Sequence, residues 1–289
     1  MKKTKTIFIV DDDEDDRSLI REAIGDFIRH GEIIEVDGGS ALLGMLQDKT
    51  TAPDVVLMDM NMPRMNGLEI LCAIKKDPSR RSIPVVILST TSNARLINQA
   101  YELGANAFMI KPVSTWDYQA MARAIDICFL NTLSADHFLT SFKPPTARSI
   151  LIIEDNDDHS ELMHFALKQG MPDVKAIRLS DKAETLQFLH TSYKNLKPLP
   201  EMILLDLYLP TREDGLSLLE EIQEFIIINQ LARVPIIVFS YSDHREDLAA
   251  SFAKQANGYV VKPPDINKWS FYFENLCYFW SKTMTISRD

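Results

Sequence analysis

Ten side chains of this sequence stand where short apolar runs end. Asp11, Asp12, Asp59, Ser89 and Lys111 form one set, and Glu154, Asp155, Asp206, Ser240 and Lys262 form another. Three carboxylates gathered at one edge cannot all stay ionised unless a cation joins them. Hard oxygen ligands that leave room for water suit Mg2+ or Mn2+. The lysine adds a fixed ammonium and the serine a small hydroxyl donor. Such a constellation suits phosphoryl transfer. An aspartate attacks phosphorus to give an acyl phosphate, while metal and lysine neutralise the equatorial oxygens. Residues 11–16 read Asp-Asp-Asp-Glu-Asp-Asp. Glu14, Asp15 and Asp16 of that run are expected only to charge the start of a helix.

The two sets belong to an internal repeat. Ile7-Phe-Ile-Val-Asp-Asp matches Leu151-Ile-Ile-Glu-Asp, and Val55-Val-Leu-Met-Asp matches Ile203-Leu-Leu-Asp. Pro84-Val-Val-Ile-Leu-Ser89 matches Pro235-Ile-Ile-Val-Phe-Ser240, and Ala107-Phe-Met-Ile-Lys-Pro112 matches Gly258-Tyr-Val-Val-Lys-Pro263. The offset is 143 residues at Asp12/Asp155, 147 at Asp59/Asp206 and 151 at Ser89/Ser240 and Lys111/Lys262. Two net insertions of about four residues account for the drift. The domains expected are 1–132 and 149–289, joined by a linker at 133–148 that holds Pro144-Pro145 and the apolar Phe138, Leu139 and Phe142.

In each copy, Val/Ile/Leu runs alternate with amphipathic segments. The strands are expected near 6–10, 33–37, 54–59, 84–89 and 106–110, with a last helix at 114–131. In the second copy they fall near 149–153, 174–179, 201–206, 234–239 and 257–261, with a last helix near 265–281. Near-continuous apolar strands separated by helices imply a parallel sheet covered on both faces. Right-handed crossovers make that a doubly wound α/β domain. Such domains bind ligands beyond the carboxyl ends of their strands, where both sets lie.

Composition excludes other classes. The net charge is −10 over 289 residues, and each half up to and after residue 140 carries −5. Nucleic acid is therefore not the expected partner. No apolar stretch approaches the ~20 residues of a membrane span, and Ile7 to Val10 is too short for a signal peptide. Cys72, Cys128 and Cys277 lie far apart, as reduced cytoplasmic thiols do.

The joint motif of acidic pair, strand-end Asp, strand-end Ser and Lys-Pro resembles the receiver domains of two-component response regulators, twice over. The segments Leu88–Asn93 and Leu103–Phe108 look most like stand-alone receivers associated with bacterial phytochrome-type kinases. The resemblance implies two (βα)5 domains, each with a five-stranded parallel sheet in the order 2-1-3-4-5. It implies that Asp59 and Asp206 accept a phosphoryl group from a histidine kinase or phosphotransfer protein. It also implies that Asp12 and Asp155 ligate Mg2+ directly, with Asp11 and Glu154 acting mostly through water. The backbone carbonyls of Asn61 and Tyr208 complete the metal site. Lys111 and Lys262 contact the phosphoryl group, Ser89 and Ser240 are switch hydroxyls, and Phe108 and Tyr259 are switch aromatics. Haloacid-dehalogenase-type phosphatases share the aspartyl nucleophile but place an acid two residues later, where this chain has Asn61 and Tyr208. No enzymatic turnover beyond self-catalysed aspartyl phosphorylation and dephosphorylation is expected.

The copies differ. Asn61 is small and Tyr208 bulky, so Tyr208 is expected to shield the second aspartyl phosphate from water. In the last helix Ile266, Trp269, Phe273, Leu276 and Trp280 follow core spacing. Phe271, Tyr272, Tyr278 and Phe279 are surplus to that stripe, which suggests a homodimer or partner interface. With no output domain recognisable, output is expected through contact with a downstream protein. The alternatives are a transcription regulator that touches DNA directly and a constitutive scaffold whose receivers are inactive.

Overall fold

A computed structural model describes residues 4–28, 31–48, 52–132 and 149–283. The linker expected at 133–148 lies outside the described residues. The chain divides into two compact units. The first runs β1 (Lys5–Asp11), α1 (Glu14–Phe27), β2 (Gly31–Asp37), α2 (Gly39–Gln47), β3 (Val55–Asp59), α3 (Gly67–Lys76), β4 (Val85–Ser89), α4 (Ala94–Glu102), β5 (Ala107–Ile110) and α5 (Thr115–Ile125). The second runs β6 (Ser149–Ile153), α6 (Asp157–Gly170), β7 (Lys175–Leu179), α7 (Lys182–Thr191), β8 (Met202–Leu205), α8 (Arg212–Ile228), β9 (Ile236–Ser240), α9 (Arg245–Ala253), β10 (Gly258–Val261) and α10 (Trp269–Tyr278).

Each unit is a five-stranded parallel sheet, in the orders β2-β1-β3-β4-β5 and β7-β6-β8-β9-β10. The central strands β3, β4, β8 and β9 are buried along their whole length. Burial on both faces explains why they read as unbroken apolar runs rather than alternating ones. Their carboxyl ends fall on one edge, which brings Asp11, Asp59 and Ser89 together in one unit and Glu154, Asp206 and Ser240 in the other.

Helix starts carry matched caps. Asp13 caps α1 by accepting from Asp15 N and Asp16 N, and Asn156 caps α6 by accepting from His159 N. Two glycines let helices approach the chain ends of β3 and β8 closely. A Cβ on Gly67 would lie 2.6 Å from the Asp59 carbonyl, and one on Gly215 would overlap the Leu207 carbonyl. α8 begins three residues before its glycine, whereas α3 begins at its own.

The last helix departs from expectation. α10 ends at Tyr278, and Phe279–Thr283 form a π-helical turn. The wider turn rotates the residues that follow. Phe279, expected as surplus, is buried together with Trp280. Ile266, expected in the core, sits in a preceding 3-10 turn and is exposed. α5 likewise stops at Ile125 and passes into a π-helical turn, Asp126–Leu130.

At the sheet edge opposite the carboxylates, Lys75 donates to the carbonyls of Arg81 and Ile83 and to Asn106 Oδ1, at 3.2, 2.7 and 2.9 Å. These are neutral oxygens, and burial pulls the amine down to about 7. The unfolded chain then binds more protons than the folded one between pH 7 and about 10.5, so stability rises with pH across that window. Urea unfolding of the first unit should show a gain of about 2 kcal/mol from pH 7 to 9. Lys75→Met should abolish that gain, and an equal gain in the variant would refute the assignment to Lys75.

Candidate functional site

In the first unit the register of the sheet sets the geometry. Asp11 closes β1, Asp59 closes β3 and Ser89 closes β4. Ser89 pairs with Ile110, and the Lys111 N–H donates to the Ser89 carbonyl at 2.8 Å. Lysine and serine are thus adjacent by strand pairing. Carboxylate oxygens of Asp11, Asp12 and Asp59 all lie within 4.8 Å of one another. Asp11 and Asp59 are buried, while Asp12 is exposed at the rim.

The Lys111 ammonium bridges this cluster. It reaches Asp11 Oδ2 at 2.8 Å, Asp59 Oδ1 at 2.7 Å and Asp16 Oδ2 at 2.7 Å. Burial alone would lower its pKa, but hydrogen bonds to Asp11, Asp16 and Asp59 outweigh that and raise it. The ammonium therefore stays charged. Burial pushes the Asp11 carboxyl up against the pull of Lys111. Asp16 corrects an expectation. It does stand in the first turn of α1, but its carboxylate also turns toward the site and holds Lys111. The Asn61 N–H donates to Asp59 Oδ2 at 2.5 Å.

The second unit repeats the frame with different furniture. Carboxylate oxygens of Glu154, Asp155 and Asp206 lie within 4.8 Å of one another. The Lys262 N–H donates to the Ser240 carbonyl at 2.7 Å. Its ammonium reaches Glu154 Oε2 at 2.7 Å and Asp206 Oδ2 at 3.3 Å. The Lys262 side chain is fully buried, against 11% exposure for Lys111. Aromatic faces close it in, with Phe239 and Tyr241 centroids 5.7 and 5.1 Å from Nζ. Cations favour such ring faces. At the position of Asp16 stands His159, whose Nδ1 lies 3.3 Å from Glu154 Oε1 and whose ring meets Tyr241 at 5.1 Å. Burial and then the neighbouring Asp206 charge raise the carboxyls of both Glu154 and Asp155. Asp16, His159 and Tyr241 were not singled out from sequence as site residues.

The aromatic positions are both internal. Phe108 is fully buried, and its N–H donates to the Tyr101 hydroxyl at 3.1 Å. Tyr259 is fully buried too, but its own hydroxyl donates to the Ser242 carbonyl at 2.9 Å. Tyr208 is 40% exposed and donates its hydroxyl to Asp247 Oδ2 at 3.0 Å.

Clustered carboxylates at strand ends, a pinned lysine and a neighbouring hydroxyl recur on two doubly wound sheets. The family model described as response regulator receiver domain matches residues 7–123 and again 150–270. The chain belongs to the response regulator receiver family, with two receiver domains in tandem, and such domains serve two-component signalling. It is 30% identical over 135 residues to the response regulator Rcp1 of Synechocystis, covering 45% of this chain and 92% of that protein. It is 39% identical over 118 residues to a protein-glutamate methylesterase/protein-glutamine glutaminase of Treponema pallidum, but spans only 28% of that protein and 39% of this chain. Among solved structures, the phosphorylated cyanobacterial phytochrome response regulator RcpA is 31% identical, with a TM-score of 0.43, covering 46% of this chain and 98% of that one. The Mn2+-bound form of Rcp1 is 30% identical, with a TM-score of 0.41, covering 45% of this chain and 97% of that one. No described helix is long and apolar enough to cross a membrane.

Proposed function

We propose that the chain is a cytoplasmic phosphorelay protein whose two receivers take phosphoryl groups on Asp59 and Asp206 from a histidine kinase or phosphotransfer protein. The observation that carries this reading is the doubled triad of carboxylates with a lysine pinned to its buried members. The donor set fits a divalent cation, because clustered carboxylates with an exposed member at the rim leave room for water ligands. Asp11, Asp12, Asp59 and the Asn61 carbonyl would hold Mg2+ or Mn2+ in one receiver. Glu154, Asp155, Asp206 and the Tyr208 carbonyl would hold it in the other. When bound, the ion supplies positive charge to the phosphoryl oxygens. Lys111 and Lys262 hold a second positive charge beside the attacking carboxylate. Ser89 and Ser240 donate to a phosphoryl oxygen, and the space they vacate is filled by Phe108 or Tyr259. Output goes to a downstream protein through the altered surface.

Acetyl phosphate with Mg2+ and intact-mass detection tests this reading. Wild type should gain up to two phosphoryl groups, Asp59→Asn and Asp206→Asn one each, and the double variant none. A gain in the double variant would refute the assignment. A homodimer through the last helix would now rest on the half-buried Phe271, Tyr272 and Tyr278 without Phe279. Light scattering of Tyr272→Glu should show a smaller species if that face pairs, and unchanged mass if it does not.

A further inference from the structure

The second unit carries a polar cluster that the first lacks. Its centre is Asp247, in the first turn of α9, seven residues past Ser240 and 3% exposed. Its Oδ1 accepts from Arg212 Nε at 2.5 Å. Its Oδ2 accepts from Tyr208 Oη at 3.0 Å and from Ser242 Oγ at 2.5 Å. Arg212 also donates to the Glu246 carbonyl at 3.0 Å. The Ser242 carbonyl in turn accepts from the Tyr259 hydroxyl. One carboxylate therefore joins the loop after Asp206, through Tyr208, and the start of α8, through Arg212, to the loop after Ser240, through Ser242. Through Ser242 it also reaches Tyr259 on β10.

A buried carboxylate persists only when its oxygens are satisfied, and these three donors do so. Burial pushes the Asp247 carboxyl up, but the bonds from Ser242, Arg212 and Tyr208 win and hold it below the usual range. The early start of α8 places Arg212 within reach. The offsets that relate the two copies place Leu96 opposite Asp247, Thr91 opposite Ser242, Phe108 opposite Tyr259 and Asn61 opposite Tyr208. Leu96 has no carboxylate and Phe108 no hydroxyl, so the first unit cannot build the cluster.

We propose that Asp247 is a positioning residue of the second site, latching the segment after Asp206 to the loop that follows Ser240. Movement of Ser240 toward a phosphoryl group on Asp206 must then break the bonds from Asp247 to Tyr208 and Arg212. The second receiver is harder to switch than the first for that reason. The proposal rests on the phosphoacceptor reading above.

Two measurements test it. The first needs no phosphorylation, namely amide hydrogen exchange of the full chain. Arg212→Gln, which leaves Asp247 and its serine bond in place, should speed exchange in both 207–212 and 241–247. Tyr208→Phe should do the same to a smaller extent. A rise confined to 207–212, or none, would overturn the latch. The second is beryllofluoride with Mg2+, titrated into an Asp59→Asn background by fluorine NMR. Arg212→Gln should bind about tenfold more tightly, the effect of removing one charge-assisted hydrogen bond from the unbound state. Unchanged or weaker binding would overturn the proposal. Failure of the Asp59→Asn protein itself to bind would overturn the phosphoacceptor reading instead, and the exchange data would still decide the latch.

Discussion

Lys262→Met should cost the second unit about 3–5 kcal/mol at pH 7, the penalty for leaving a buried carboxylate without its partner. Lys262 is fully buried between Glu154 and Asp206, and the Glu154 side chain is 1% exposed. Methionine keeps the stem and its packing against Phe239 and Tyr241, so the loss is electrostatic rather than a cavity. The orphaned Glu154 charge is what costs most. Lys262→Met combined with Glu154→Gln should therefore be more stable than Lys262→Met alone, a non-additive pair. Lys111→Met should cost the first unit less. Asp16, one of its three partners, is 35% exposed, and water reaches that side of the cluster. Urea unfolding of these three variants and of Glu154→Gln alone decides the matter. Equal costs for the two lysines, or additive costs for the pair, would contradict this picture.

Divalent cations should stabilise both units, and by a similar amount. Each unit holds three carboxylates whose oxygens lie within 4.8 Å, with one lysine to offset them. A cation that binds only the folded form adds about 2.7 kcal/mol at a hundredfold excess over its dissociation constant. Thermal unfolding in Mg2+ or Mn2+ should thus occur higher than in a chelator. Asp12→Asn should remove the gain for the first unit and Asp155→Asn for the second. Both residues are exposed, so neither change should disturb the apo fold. A gain that survives both substitutions would place the cation elsewhere.

The strands and their order were legible because burial on both faces leaves no polar alternation to obscure them. The strand-end aspartate, lysine and serine positions were legible because duplication printed each of them twice. Asp16 was not, since an acid in the first turn of a helix has a sufficient local reason to be there. His159 occupies the same position in α6, so comparing the copies there would have exposed a divergent neighbour of the lysine. Asp247 left no trace in the repeat, because Leu96 stands opposite it and its partners come from three separated segments. Phe279 was misplaced because a heptad-like spacing assumes 3.6 residues per turn, and a π-helical turn breaks that phase.

Borohydride reduction of the phosphorylated chain, followed by peptide mapping, tests the central claim most directly. An aspartyl phosphate is an acyl phosphate, and borohydride reduces it to homoserine. After treatment with acetyl phosphate and Mg2+, homoserine should appear at positions 59 and 206 and at no other aspartate. Homoserine at Asp11, Asp12 or Asp155, or at none, would contradict the assignment of Asp59 and Asp206 as the phosphoacceptors.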